Sequence, residues 1–179
     1  MKLIIVINGK GGAGKDTLCA ALSEKYRVVN VSSIDPIKEI ARSYGWNGEK
    51  DMRSRRFLAE LKEAFINYCD LPKKYLCEKA KEFLAGDGEV MFVHIREPKE
   101  IAAFRDAIYP ARCLTLLVRR AGLHTGEKYG NAADDEVENF SYDLVFDNDM
   151  PLEESKAAFL RFFSDCVLKN EAVSGGNEK

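Results

Sequence analysis

Leu3-Ile4-Ile5-Val6-Ile7-Asn8-Gly9-Lys10-Gly11-Gly12-Ala13-Gly14-Lys15-Asp16-Thr17 sets an unbroken apolar run directly before a loop that holds four glycines. A continuous leucine and β-branched run is the pattern of a strand covered on both faces, and hence of a parallel sheet. From Thr17 onward Leu18, Ala21, Leu22 and Tyr26 recur at helical spacing, so a helix starts inside the loop. Glycine lets successive amides turn inward, and at a helix N-terminus such amides form a nest for an anion.

The spacing Gly9-x-x-x-x-Gly14-Lys15 is that of a Walker A phosphate loop, with Asp16 where serine or threonine is usual. ATP with Mg²⁺ is the expected ligand. Gly9, Gly11, Gly12, Ala13 and Gly14 supply the backbone cradle, Lys15 meets the β- and γ-phosphates, and Thr17 offers its hydroxyl to the α-phosphate. Asp16 can reach Mg²⁺ directly or through a water, because a hard cation takes oxygen ligands.

Working outward, Arg27-Val28-Val29-Asn30-Val31 reads as a second strand that completes a right-handed βαβ unit. Ser32 or Ser33 can cap a helix from about Pro36 to Tyr44, which Gly45 ends. After the polar turn Trp46 to Lys50, a periodic helix carries Phe57, Leu58, Leu61, Ala64, Phe65 and Tyr68 as its buried stripe. Leu71-Pro72 begins another helix, to about Ala85. Val90 to Ile95 and Cys113 to Val118 are the third and fourth strands, with a helix from about Pro98 to Ile108 between them. Arg119 to Ala133 has charge, three glycines and no apolar period, which suits a lid. Asp134-Asp135-Glu136 reads as the cap of a short helix, Leu144-Val145-Phe146 as the last strand, and Leu152 to Val167 as a closing helix. The expected fold is therefore α/β: a three-layer P-loop NTPase fold on a five-stranded parallel sheet. A single domain over about 1–170 would carry a helical insertion at about 35–86 and a short lid at about 119–134, with 171–179 as a frayed tail.

The chain has 179 residues, close to half of them apolar, and a formal charge of −2. That length supports one core. The near balance gives no basic field for nucleic acid or an anionic membrane, so neither is expected as a partner, and a small-molecule nucleotide acceptor is. Oligomeric state is left open. Five scattered cysteines without a C-x-x-C unit read as reduced, mostly buried thiols of a cytoplasmic protein. The opening apolar run is too short for a signal-peptide core or a membrane span.

Trp46-Asn47-Gly48-Glu49-Lys50-Asp51-Met52-Arg53-Ser54-Arg55-Arg56 resembles the W-x-G-x-K-D-x-R-x-R-R segment of the phage-type deoxynucleoside monophosphate kinases. These belong to the nucleoside monophosphate kinase group, related to phosphomevalonate and dephospho-coenzyme A kinases. Gly14-Lys15-Asp16-Thr17 is similar to the same family, and Asp35-Pro36-Ile37-Lys38-Glu39 and Arg96-Glu97-Pro98-Lys99-Glu100 match it more weakly in the same order. The resemblance implies transfer of the γ-phosphoryl of ATP to a nucleoside or deoxynucleoside monophosphate, or to a similar small phosphorylated acceptor. It departs from the family at His94, where an aspartate is usual, and a neutral imidazole cannot replace that charge.

Phosphoryl transfer between polyanions needs fixed cations and excluded water. Lys50, Arg53 and Arg56 are spaced to share a helix face, and Lys38 and Arg42 share another. With Asp35 and Arg96 these are the expected acceptor-binding residues. Lys15, Arg96, Arg119 and Arg120 are the expected catalytic cations, since arginine clamps phosphate bidentately, and Asp16 is the expected metal ligand. Alone, Arg56 and Glu60 could be an ordinary surface pair, and His94 a hydrogen-bonded structural residue. Two other readings fit the loop. Lys10-Gly11-Gly12-Ala13-Gly14-Lys15 also matches the deviant Walker A loop of ATPase switches that partition plasmids, and a nucleotide-binding regulatory module without kinase activity would keep the cradle alone.

Overall fold

The computed structural model describes residues 2–121, 137 and 140–174. The expected short helix at Asp134-Asp135-Glu136, His124 and nearly all of the expected lid fall outside them. Five strands, β1 (Leu3–Asn8), β2 (Val28–Ser32), β3 (Val90–His94), β4 (Cys113–Arg119) and β5 (Leu144–Asp147), form one parallel sheet in the order β2-β3-β1-β4-β5. The helices are α1 (Lys15–Leu22), α2 (Asp35–Ser43), α3 (Met52–Cys69), α4 (Leu71–Ala85), α5 (Pro98–Ile108) and α6 (Leu152–Ser174).

β1 is buried throughout, as its unbroken apolar run requires of a central strand with helices on both faces. Its odd residues, Leu3, Ile5 and Ile7, enter a core with Leu18, Leu22, Phe146, Phe159 and Phe163. Its even residues, Ile4 and Val6, enter a second core with Leu76, Phe83, Met91, Ile101 and Phe104 on the opposite face. The period-two alternation of a strand thus divides one sequence run between two layers. α1 and α6 close the first face, while α4 and α5 close the second.

β3 lies between β1 and β2 and pairs with both. Four local expectations are corrected. Neither Ser32 nor Ser33 caps α2: its N-cap is Ile34, and Asp35 instead accepts from the Ser32 amide at 2.7 Å. α3 does not bury the expected stripe. Phe57 is 43% and Tyr68 87% exposed, Ala64 is exposed, Leu58, Leu61 and Phe65 are half-buried, and only Ser54 and Lys62 are buried. The periodicity was genuine, but α3 lies against other helices of the insertion and not on the sheet, so little apolar surface was there to receive it. α6 continues past Val167 to Ser174, into the segment expected as a tail. Among the cysteines only Cys19 is buried, and all five are free thiols.

Among the described residues no helix is long and apolar enough to cross a membrane. The first core turns on Phe159, which is fully buried and lies 5.1 Å from the Phe146 ring centroid, edge-on. Removing it leaves a cavity that rigid strands cannot fill. Phe159→Ala should lower the unfolding free energy by about 3–5 kcal/mol, seen as a lower urea midpoint at unchanged slope.

Candidate active site

The Gly9-to-Thr17 loop leaves β1 at the carboxyl edge of the sheet, where parallel α/β folds bind ligands. Two backbone positions show why glycine is needed. Gly9 has φ +149°, and a Cβ there would collide with the Val118 carbonyl of β4. Gly14, the N-cap of α1, has φ +90°, and a Cβ there would lie 2.5 Å from Asn148 Nδ2. No side chain caps α1, so its first amides are left for a ligand. Lys15 Nζ turns back over the loop and donates to Gly9 O at 2.5 Å and Lys10 O at 3.1 Å. Asp16 and Thr17 are exposed on the first turn of α1.

Three residues that the sequence reading did not assign hold this loop. Asn8, buried at the end of β1, accepts from Gly9 N at 2.8 Å and donates to Arg96 O at 3.0 Å and the Tyr142 hydroxyl at 2.8 Å. Tyr142 passes its own proton to Val137 O at 2.9 Å. Asn148, also buried, donates from Nδ2 to Ala13 O at 2.7 Å, accepts from the Ser155 hydroxyl, and donates its backbone amide to Arg119 O at 2.8 Å. The available signal was an asparagine at the end of each of two strands that flank the loop. An amide there can bond a donor and an acceptor together.

His94 ends β3, in register with Ile7 of β1 and Ser32 of β2. Its Nε2 lies 3.4 Å from Asn30 Oδ1. Burial pushes the imidazole below its ordinary value. The Asp16 and Asp35 carboxylates pull it up and Lys15 and Lys38 push it down, in smaller measure than burial. Residues from the phosphate loop and from α2 therefore act on one imidazole. Lys15 and Asp16 lie on the first turn of α1, and Asp35 and Lys38 on the first turn of α2.

The arginines are placed less simply. Arg96 follows β3 and is exposed. Lys50 precedes α3, whose N-cap is Asp51, accepting from Ser54 N at 2.7 Å; Lys50, Arg53 and Arg56 consequently do not share one helix face. Arg53 and Arg56 are exposed, and Arg56 pairs with Glu60 at 2.7 Å, the ordinary surface pair. Arg42 lies 5.3 Å over the Trp46 ring. Arg119 closes β4 and Arg120 follows it, both exposed, and Ala121 N donates to Asp149 at 2.5 Å. Behind the loop, the Cys19 thiol is pushed up to about 12, first by burial and then by Asp16.

Two outcomes follow from this geometry. Asn148→Ala leaves Ala13 O and the Ser155 hydroxyl without their partner, which should cost about 1–3 kcal/mol of stability. It should also weaken ATP binding in calorimetry more than Ser155→Ala does. For His94, a depressed folded pKa means stability that is present above the ordinary value of about 6.5 and lost as pH falls through the folded value. Urea unfolding between about pH 7.5 and pH 5 should therefore show a smaller loss in His94→Gln than in the wild type.

No protein-family model matches the chain. A guanylate kinase from Clostridium acetobutylicum is 37% identical over 86 residues, and the match spans 43% of this chain and 41% of that enzyme's length. Among solved structures, a tunicamycin resistance protein of Deinococcus radiodurans superposes with TM-score 0.55 at 14% identity, covering 92% of this chain and 95% of its own. Thymidylate kinase from Ehrlichia chaffeensis gives 0.54 at 13% identity over 91% and 98%. A sugar kinase from a Janibacter species gives 0.50 at 14% identity over 92% and 95%. The sheet, its helices and the loop after β1 have the fold found in P-loop kinases.

Proposed function

We propose that this protein is an ATP-dependent kinase whose acceptor is a nucleoside or deoxynucleoside monophosphate. The observation that carries the reading is the strand register at His94, which lies between the end of β1, where the phosphate loop begins, and the end of β2, where α2 begins; charges from both sides, Lys15 and Asp16 on one and Asp35 and Lys38 on the other, act on its imidazole. A donor side and an acceptor side facing one point is what in-line transfer requires. Support also comes from the partial likeness to a guanylate kinase and from a fold that thymidylate kinase shares. On this reading residues 35–86 form the acceptor region.

The reaction breaks the bond between the γ-phosphorus and its bridging oxygen to the β-phosphate. It forms one from that phosphorus to an oxygen of the acceptor phosphate, and ADP leaves. Lys15 turns from its loop carbonyls to the β- and γ-oxygens, so its positive charge is already in the cradle when the nucleotide arrives. Arg96, Arg119 and Arg120 neutralise charge that spreads over the equatorial oxygens. Asp16 is the residue that would hold Mg²⁺. A hard ion that keeps most of its waters needs only one carboxylate beside substrate phosphates, and Asp16 on the first turn of α1 supplies one. Bound there, Mg²⁺ would supply charge neutralisation at the phosphates. His94, neutral, adds no second carboxylate.

The test is a panel of monophosphates (GMP, dGMP, dTMP, CMP and AMP) with ATP and Mg²⁺, scored for diphosphate product. Product with at least one member, abolished by Lys15→Ala, is the expected result. Asp16→Asn should raise the Mg²⁺ concentration needed for half-maximal rate while its melting temperature stays near that of the wild type. ATP hydrolysis indifferent to every monophosphate would point to a switch ATPase, and nucleotide binding without turnover to a regulatory module.

A further inference from the structure

Lys62 is 9% exposed, on a helix whose apolar residues are half-buried or exposed. Burying an ammonium is costly unless it is paired, and here the pairing is dense. Its Nζ donates to both oxygens of Glu97 at 3.0 Å and to Glu100 at 2.9 Å. Glu97 is the N-cap residue of α5 and follows Arg96, whose carbonyl is held by Asn8, which in turn holds Gly9 N. A continuous path of hydrogen bonds and one peptide link therefore runs from α3 to the first residue of the phosphate loop. Burial pushes the Glu100 carboxyl up and Lys62 holds it down, so the lysine carries part of the charge balance of this seam.

We propose that Lys62 is a positioning residue for the acceptor side: through Glu97 and Glu100 it fixes the register of α3, the helix of Arg53 and Arg56, against Arg96 and the phosphate loop. The assignment to the acceptor side rests on the kinase reading above. Hydrophobic packing leaves room for this role, since no apolar side chain of α3 is fully buried and Phe57 and Tyr68 are exposed. Lys62 touches no substrate. It acts through the residues that it orients.

The experiment compares wild type, Lys62→Met, Lys62→Arg and Glu97→Gln by hydrogen exchange and by steady-state kinetics with GMP, dGMP and dTMP as acceptors. In Lys62→Met, amides of residues 52–69 should lose about tenfold protection while β1 and β3 keep theirs. Acceptor KM should rise about tenfold with ATP KM unchanged, and Lys62→Arg, which keeps the cation, should restore most of both. Unchanged exchange in α3 would overturn the anchoring, and an equal rise in both KM values would overturn the acceptor assignment. Should none of the three monophosphates turn over with wild type, the acceptor assignment falls with the kinase reading, while an exchange loss in Lys62→Met that Lys62→Arg reverses still supports the anchor. Where Lys62→Met does not fold, Glu97→Gln, which keeps the Glu100 pair, gives the same pattern at smaller amplitude.

Discussion

A single side-chain amide at the end of β1 ties the site to the sheet. Asn8 is buried where the strand gives way to the loop, and its oxygen and nitrogen serve the Gly9 amide, the Arg96 carbonyl and the Tyr142 hydroxyl. A buried amide left unpaired is expensive, so these three partners are held together by the cost of separating them. Strand, phosphate loop, the turn after β3 and the approach to β5 thus share one junction. Asn148 repeats the device from the other side, joining the loop to β4 and α6.

Two different kinds of force position the two halves of the site. The phosphate loop rests on β1 and its neighbour β3, whose residues are almost completely removed from water, and apolar burial fixes its height and direction. Within the insertion α4 joins the second core, whereas α3 buries little apolar surface and shows aromatic residues to solvent. Its register depends on a buried ion cluster. Such pairs are a weak source of net stability but a sharp source of geometry, because each has a fixed length and a heavy penalty for being broken.

The sheet was legible because a parallel strand buried on both faces leaves unbroken apolar runs, and the phosphate loop because glycine, lysine and the following helical period occur in a fixed order. Lys15, Asp16, Asp35 and Lys38 could be found as cations and carboxylates beside that loop. The role of Asn8 and Asn148 was not legible, since a polar residue after a strand looks the same whether it faces water or bridges two backbones. Lys62 was hidden for a related reason: a lysine on a helix is nearly always solvated, and only the approach of α5, far away in sequence, reverses that. α3 misled in the opposite sense, because a helical period marks an apolar face without stating whether anything covers it.

Cys19 sits on α1 just behind the phosphate cradle, fully enclosed by the first core, with its thiol pushed up to about 12. At neutral pH on the order of one such thiol in a hundred thousand is ionised, and only the thiolate reacts with peroxide, disulfides or alkylating reagents. Burial and the nearby Asp16 carboxylate both hold this sulfur in its protonated, weakly nucleophilic form. A cysteine in this place serves the core beneath the phosphate loop as a small, polarisable filler.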